Sequence, residues 1–292
     1  KAQSANFPFC TIEPNIGVIT VPDERLEVLS KIVNPEKIIP TTVEIVDIAG
    51  LVPGASEGRG RGNAFLADLA NCNALIQVVD AAGSTDLEGN PQGLNQPTEL
   101  ARSRVNEEIE FLGVELDAWI AGLLADGWTR GVRRVQAEGD KGLVSYIHER
   151  LTGLGATLNL VGAAYEVFRT EHTDLGAPWD WSEAVIAHLA IHLRKALFPI
   201  HIAANKFDVA PDGVLDGVVA NGCIVPCMAD VELGLRRAAG ADLIGYVSGS
   251  DDFEFTDASL LNEAQMKALI HMKERLAANQ GTGVSAVLDT VL

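Results

Sequence analysis

Basic residues are scarce in this chain. Lysine and arginine together number 22 against 40 aspartates and glutamates, the formal net charge is −18, and lysines number only eight. Such a balance excludes affinity of the whole surface for a nucleic-acid backbone, so no direct DNA partner is expected and any RNA contact has to be local. An acidic, lysine-poor surface is compatible with a high-salt source, and plain solubility accounts for it almost as well. Long apolar runs are missing too. None approaches 18 uninterrupted residues, which excludes a transmembrane helix, and no membrane partner is expected. Residues 1–20 lack a basic segment followed by an apolar core, so no secretory leader is expected within them. The four cysteines (Cys10, Cys72, Cys223 and Cys227) are scattered in apolar surroundings and read as buried thiols in a reducing cytosol. His148, His188, His192, His201 and His271 show no metal-ligand spacing with a third partner. His188 and His192 stand four apart on an expected helix but have no acidic or cysteine companion in sequence, so they read as ordinary helix residues.

What is present is a globular composition, 47% apolar over 292 residues, enough for a proper core and more than one domain. The central stretch runs from Val43 to Leu69. Val43–Val46 has the apolar character of a buried strand and ends on Asp47. Gly50 follows, then a loop containing Gly54, Gly58, Gly60 and Gly62, then a helical segment from Asn63 to Leu69. A carboxylate at a strand tip with a glycine three residues on suits a nucleoside triphosphate and its metal. The Asp can hold Mg²⁺, and the Gly lets a backbone N–H approach a terminal phosphate. A second buried strand, residues 74–80, follows the helical segment and indicates a parallel α/β sheet.

Before this stretch, residues 1–15 form a loop containing Thr11, whose hydroxyl can ligate Mg²⁺. A strand at residues 16–21 and a short helix at 23–33 come next. After it, the polar, Gly/Pro-rich residues 83–98 read as a domain boundary. Three- and four-residue apolar spacing then predicts one long helix from 97 to about 136, with further helices at 141–151 and 158–168. Together they suggest a helical hairpin or small bundle inserted in the sheet domain. Trp119 and Trp128 read as packing residues. Arg130, Arg133 and Arg134 form a basic cluster, by default a solvated helix face and otherwise an RNA or ribosome contact.

A helix at 182–197 leads into a buried strand, residues 200–204, which ends on Asn205-Lys206-Phe207-Asp208. An Asp there can accept both donors on the Watson–Crick edge of guanine, Asn can brace the loop and bond the base, and the Lys stem can lie over the purine. Adenine presents the opposite pattern and leaves a buried Asp unpaired, a costly mismatch. A strand at 222–227 ends in Met228-Ala229, whose N–H groups are placed to touch the base. Helices at 231–239 and 262–278 complete the chain.

Thr11, Asp47 with Gly50, and the N-K-x-D at 205–208, in that order, resemble a P-loop GTPase of the translation-factor type. The segments NFPFCTIEPN (6–15) and DIAGLVPGASEGRGRGN (47–63) resemble the Obg-related YchF family, also called Obg-like ATPases. The ELDAWI stretch is similar to that family's coiled-coil domain, and ALIQVVDAAGSTDLEGNP (74–91) resembles its archaeal branch. The resemblance covers essentially the whole chain. It implies an α/β fold, a mostly parallel sheet flanked by helices with an inserted α-helical hairpin. Residues 1–96 would be the first part of the G domain, 97–195 the insertion and 196–292 the second part. Thr11 would ligate metal and phosphate, Asp47 would be an outer holder of Mg²⁺, and Gly50 would sense the γ-phosphate. Asn205, Lys206, Asp208, Met228 and Ala229 would surround the base. The implied ligands are Mg²⁺ and GTP, with ATP as the alternative. The implied partner is the ribosome and the implied compartment the cytoplasm.

Three departures bear on activity. Most bacterial and eukaryotic members carry a degenerate N-x-x-E and prefer ATP, so the intact N-K-x-D here favours guanine. Leu51 stands where ordinary GTPases place a water-orienting Gln, which implies slow hydrolysis with no evident general base. No G-x-x-x-x-G-K-[ST] occurs in these 292 residues, and relatives also carry a C-terminal TGS domain. Lacking the phosphate loop, the chain is expected to bind triphosphate poorly, to show a gap in the sheet beside the Asp47 strand, and to be unstable by itself. The competing class is a non-catalytic module that contacts a protein or ribosomal surface through its helices.

Overall fold

The computed structural model describes residues 15–21, 24–48, 69, 72–220, 222–257, 259 and 261–292. Three sheets form among the described residues, the first at the N-terminal end. The β-branched runs Asn15–Thr20 (β1) and Thr42–Asp47 (β2) pair antiparallel, with Asn15 opposite Asp47 and Thr20 opposite Thr42. Between them lies Glu24–Val33 (α1), stopped by Asn34 at φ 46° and then Pro35.

The second sheet is parallel. It joins Leu75–Asp80 (β3), Ile200–Asn205 (β4) and Ile224–Pro226 (β5) in the order β3-β4-β5. Its register sets Leu75 against Ile200 and Asp80 against Asn205, which brings the carboxyl tips of β3 and β4 level. The parallel pairing expected between the strands at 43–46 and 74–80 is not found among the described residues: β2 bonds β1 alone, and the partner of β3 is β4. A long crossover of helices connects β3 to β4, as parallel neighbours require.

That crossover begins with Thr98–Ala125 (α2), whose buried stripe is Ala101, Val105, Leu116, Ile120 and Leu124. Its first turns pack on the sheet with Val79, Ile202, Ala204 and Val214, and its later turns enter a separate helical core. The single helix expected over 97–136 is in fact two. Gly127, in the left-handed region at φ 69°, turns the chain after α2, and Trp128–Arg134 (α3) starts anew with Trp128 buried. Trp128 Nε1 donates to Pro178 O at 2.7 Å and the ring stacks on Trp181 at 5.8 Å, so it is a packing residue. Arg130, Arg133 and Arg134 are solvent-exposed.

Gly139–Leu151 (α4), Leu158–Glu171 (α5) and Glu183–Leu197 (α6) complete the helical core around Ile147, Tyr165, Phe168, Leu189 and Leu193. After β5 come Ala229–Gly240 (α7), the short antiparallel pair Ile244–Gly245 (β6) and Glu254–Phe255 (β7), Glu263–Asn279 (α8) and Val284–Asp289 (α9). A capping box between Asn262 and Gln265 starts α8. Met228, Leu235, Phe253, Leu269 and Leu276 form the core of this last unit.

Candidate nucleotide-binding site

Ligands of parallel α/β sheets bind beyond the carboxyl ends of the strands, because the loops that leave those ends diverge and open a crevice. Here that edge is formed by Asp80 at the tip of β3, Asn205 to Asp208 after β4 and Met228-Ala229 after β5. Lys206 adopts the left-handed region at φ 60°, which turns its side chain back across the sheet. Its Nζ donates to Asp80 Oδ2 at 2.7 Å and to Ser84 Oγ at 2.9 Å.

Asp80 is buried and collects donors. Ala82 N–H reaches Oδ1 at 3.0 Å, while Ser84 N–H, Ser84 Oγ and Thr85 Oγ1 reach Oδ2 at 3.1, 2.6 and 2.9 Å. Burial pushes its pKa up, but the bonds from Lys206 and Ser84 outweigh that and hold the carboxyl below its ordinary value. Glu108 of α2 lies behind it, accepting the Asp80 N–H at 2.8 Å. Burial first, then the neighbouring Asp80 charge, raise the Glu108 pKa to about 7 against the pull of that hydrogen bond. Asp80, Ser84, Thr85 and Glu108 were not among the candidates read from sequence. Asp80 ends an apolar strand and Ser84-Thr85 follow within a turn, a pattern that signals a capped strand end but names no partner.

Asn205 Oδ1 accepts the Ala229 N–H at 3.0 Å, tying the β4 tip to the first residue of α7. Met228 N–H donates to Thr282 O at 2.8 Å, so neither N–H of this pair points freely into the crevice. Beneath them the buried Glu232 accepts from Thr282 Oγ1 and Tyr246 Oη, both at 2.7 Å, and from Arg236 Nε at 2.6 Å. Burial opposes its ionisation, and those three donors more than offset it, lowering the pKa. Asp208 lies in the single turn Phe207–Val209, partly buried, and its carboxylate has no hydrogen bond or ion pair among the described residues. A half-buried acceptor without a protein donor fits a ligand that brings donors, as guanine does with N1–H and its exocyclic amine.

The structure thus gathers Asn205, Lys206, Asp208, Met228 and Ala229 at one sheet edge. Asp47 sits elsewhere, exposed at the tip of β2, with Asn15 Nδ2 at 3.5 Å from its Oδ2. An exposed strand-tip carboxylate suits a hydrated Mg²⁺, which keeps most of its waters. Thr11, Gly50 and Leu51 lie outside the described residues.

The chain is similar to known GTP-binding proteins. Residues 203–292 match the family model described as Obg-like GTPase YGR210-like, G4 motif-containing domain, and residues 1–109 match that of the 50S ribosome-binding GTPase. An uncharacterized GTP-binding protein of Methanocaldococcus jannaschii is 36% identical over 99% of this chain and 72% of its own length. The ribosome-binding ATPase YchF of Haemophilus ducreyi is 43% identical across 48% of the chain, which is 35% of that protein. Among solved structures, the GTP binding protein from Pyrococcus horikoshii OT3 superposes with a TM-score of 0.60 at 28% identity, covering 95% of this chain and 70% of that one. The fold is that of a P-loop-GTPase-type α/β protein with helices between the sheet strands β3 and β4. The chain belongs to the Obg-like YchF family of GTP-binding proteins.

Proposed function

We propose that this chain is the base-reading body of a guanine-preferring nucleoside triphosphatase that switches conformation with Mg²⁺–GTP, acting in the cytoplasm at the ribosome. The observation that carries the guanine preference is the open Asp208 carboxylate beside an Asn205 that already holds Ala229. Asp208 accepts the two guanine donors, Asn205 fixes the loop that closes over the base, and the Lys206 stem flanks the ring while its ammonium stays on Asp80. Thr11 and Asp47 hold Mg²⁺, and Gly50 reads the γ-phosphate. These three roles rest on the family resemblance. No described helix is long and apolar enough to cross a membrane. Ribosome action is supported by relatives that are named for ribosome binding.

These residues contain no G-x-x-x-x-G-K-[ST], so triphosphate affinity of the chain by itself is expected to be weak. The test is titration of labelled GTP and ATP, with Mg²⁺, against the chain as it stands and against the chain preceded by a phosphate-loop segment. GTP is expected to exceed ATP in the extended protein, and Asp208→Ala is expected to lower GTP affinity by about 10- to 100-fold while leaving ATP unchanged. Equal affinities for the two nucleotides would sink the guanine assignment. Binding of neither by the extended protein would favour a non-catalytic interaction module.

A further inference from the structure

The helical crossover carries a second constellation that includes none of the base-reading residues. Glu171 ends α5, His172 follows it directly, and His188 and His192 lie one turn apart on α6. The α5–α6 hairpin folds these four residues together. Glu171 Oε2 is 3.2 Å from His192 Nε2 and 3.6 Å from His188 Nε2. All three ligand atoms lie within 4.8 Å of one another. His172 Nε2 hydrogen-bonds His188 Nδ1. The sequence spacing concealed this site because Glu171 lies 17 residues before His188, across the 173–182 loop.

We infer that Glu171, His188 and His192 bind a divalent transition-metal ion of the zinc class, with His172 as the residue that positions His188. Ligands about 2.0–2.2 Å from a tetrahedral ion are separated by about 3.3–3.6 Å, close to the 3.2 and 3.6 Å of the two His–Glu pairs. The wider edge closes by a small rotation of His188, whose side chain is 37% exposed. Two imidazoles and one carboxylate suit zinc and its neighbours better than Mg²⁺ or Ca²⁺, which take oxygen ligands. A metal on His188 Nε2 requires the proton on Nδ1, where the His172 Nε2 lone pair receives it. That supporting hydrogen bond is the usual companion of a metal-bound imidazole.

The surroundings favour a cation. The carboxyl end of α5 carries the negative end of its helix dipole. Phe168 walls the site from the core, its ring centroid 4.7, 6.1 and 5.9 Å from His172, His188 and His192. His192 is buried, 8% exposed, so its imidazole is held in place by packing. Glu171 is 49% exposed and gives the ion a path in from solvent. Three protein ligands leave a fourth position for water or for a donor from a partner. The ion would staple the end of α5 to the middle of α6, and so stiffen the hairpin that packs on α2.

The test is titration of the chelator-treated full chain with Zn²⁺ in competition with a chromophoric chelator, with Co²⁺ as a spectroscopic probe of tetrahedral geometry. The expected result is one tightly bound ion per chain and a melting temperature that rises with Zn²⁺. Glu171→Gln and His188→Gln replace exposed or half-exposed groups and are expected to fold, which circular dichroism checks. Both should lose more affinity than His172→Gln, for which the loss is about 10- to 100-fold, the usual effect of a supporting residue. The proposal is overturned if the folded chain binds no stoichiometric zinc. It is equally overturned if Glu171→Gln and His188→Gln bind zinc as tightly as the unmodified chain, because the ion then sits elsewhere.

Discussion

Lys206 directs its ammonium group into the fold, onto Asp80 and Ser84, and this decides how the neighbouring acids behave. Asp80 stays ionised with its charge matched. Glu108, two bonds away through the Asp80 N–H, has no cation of its own among the described residues and titrates near neutrality. Its pKa rises from 4.5 in the unfolded chain to about 7 in the fold. The folded state therefore binds more protons between those values. The stability that protonated Glu108 contributes is complete below pH 4.5 and lost as pH rises through about 7, a difference of up to about 3 kcal/mol. Glu108→Gln keeps an acceptor for the Asp80 N–H and removes the titration. Urea midpoints from pH 5 to 8 are expected to fall for the unmodified chain and stay flat for the variant, which becomes the more stable at pH 8. A rising midpoint over that interval in the unmodified chain would contradict the assignment. Asn205, Lys206 and Asp208 were legible in sequence because their motif is contiguous. Glu108 was not, since an acid on an amphipathic helix looks like any solvated residue until a strand end is laid against it.

At the scale of elements, the loop after β5 is held from below by the junction of α8 and α9. Gly283 takes φ 75°, and a Cβ there would lie 1.9 Å from Pro226 O at the end of β5. The adjacent Thr282 accepts Met228 N–H and donates to Glu232. Gly283→Ala combines left-handed strain with backbone overlap and is expected to destabilise the fold by about 2–4 kcal/mol. It should also displace Met228-Ala229, so that in the phosphate-loop-extended protein GTP affinity falls as stability does. A variant with unchanged denaturation and unchanged nucleotide affinity would show that this packing carries neither. Strands β3, β4 and β5 and helices α4 to α8 were readable from apolar period, whereas the short β6 and β7 were not. The break at Gly127 was not: the apolar spacing runs on through it, and only the burial of Trp128 against Pro178 and Trp181 shows why the chain turns there.

Across the whole molecule, burial is uneven. The parallel sheet and the helical crossover share α2, whose two ends enter two cores. The β1–α1–β2 unit exposes Ile16, Val18, Ile32 and Ile39 at 63, 62, 74 and 72%. Val78, on β3, is also 64% exposed. Segments with few buried apolar contacts open at little free-energy cost. Amide exchange is therefore expected to be fast in β1 and β2 and slow in β4 and α6, with thermal unfolding in more than one step. Uniform protection, or one cooperative melt, would count against this division.

Composition, strand-tip motifs and apolar period by themselves determined an acidic α/β protein with a parallel sheet, a helical crossover and an N-K-x-D at a strand end, because each of these is a local property of neighbouring residues. The tertiary structure decided the rest. It set Asp80 under Lys206 across 126 residues of chain, paired β2 with β1 instead of β3, and left Asp208 open where Asn205 was already engaged. It also gave His188 and His192 the acidic companion that their own helix lacks. Such pairings depend on where the hairpin and the crossover return the chain, and no local period encodes that return.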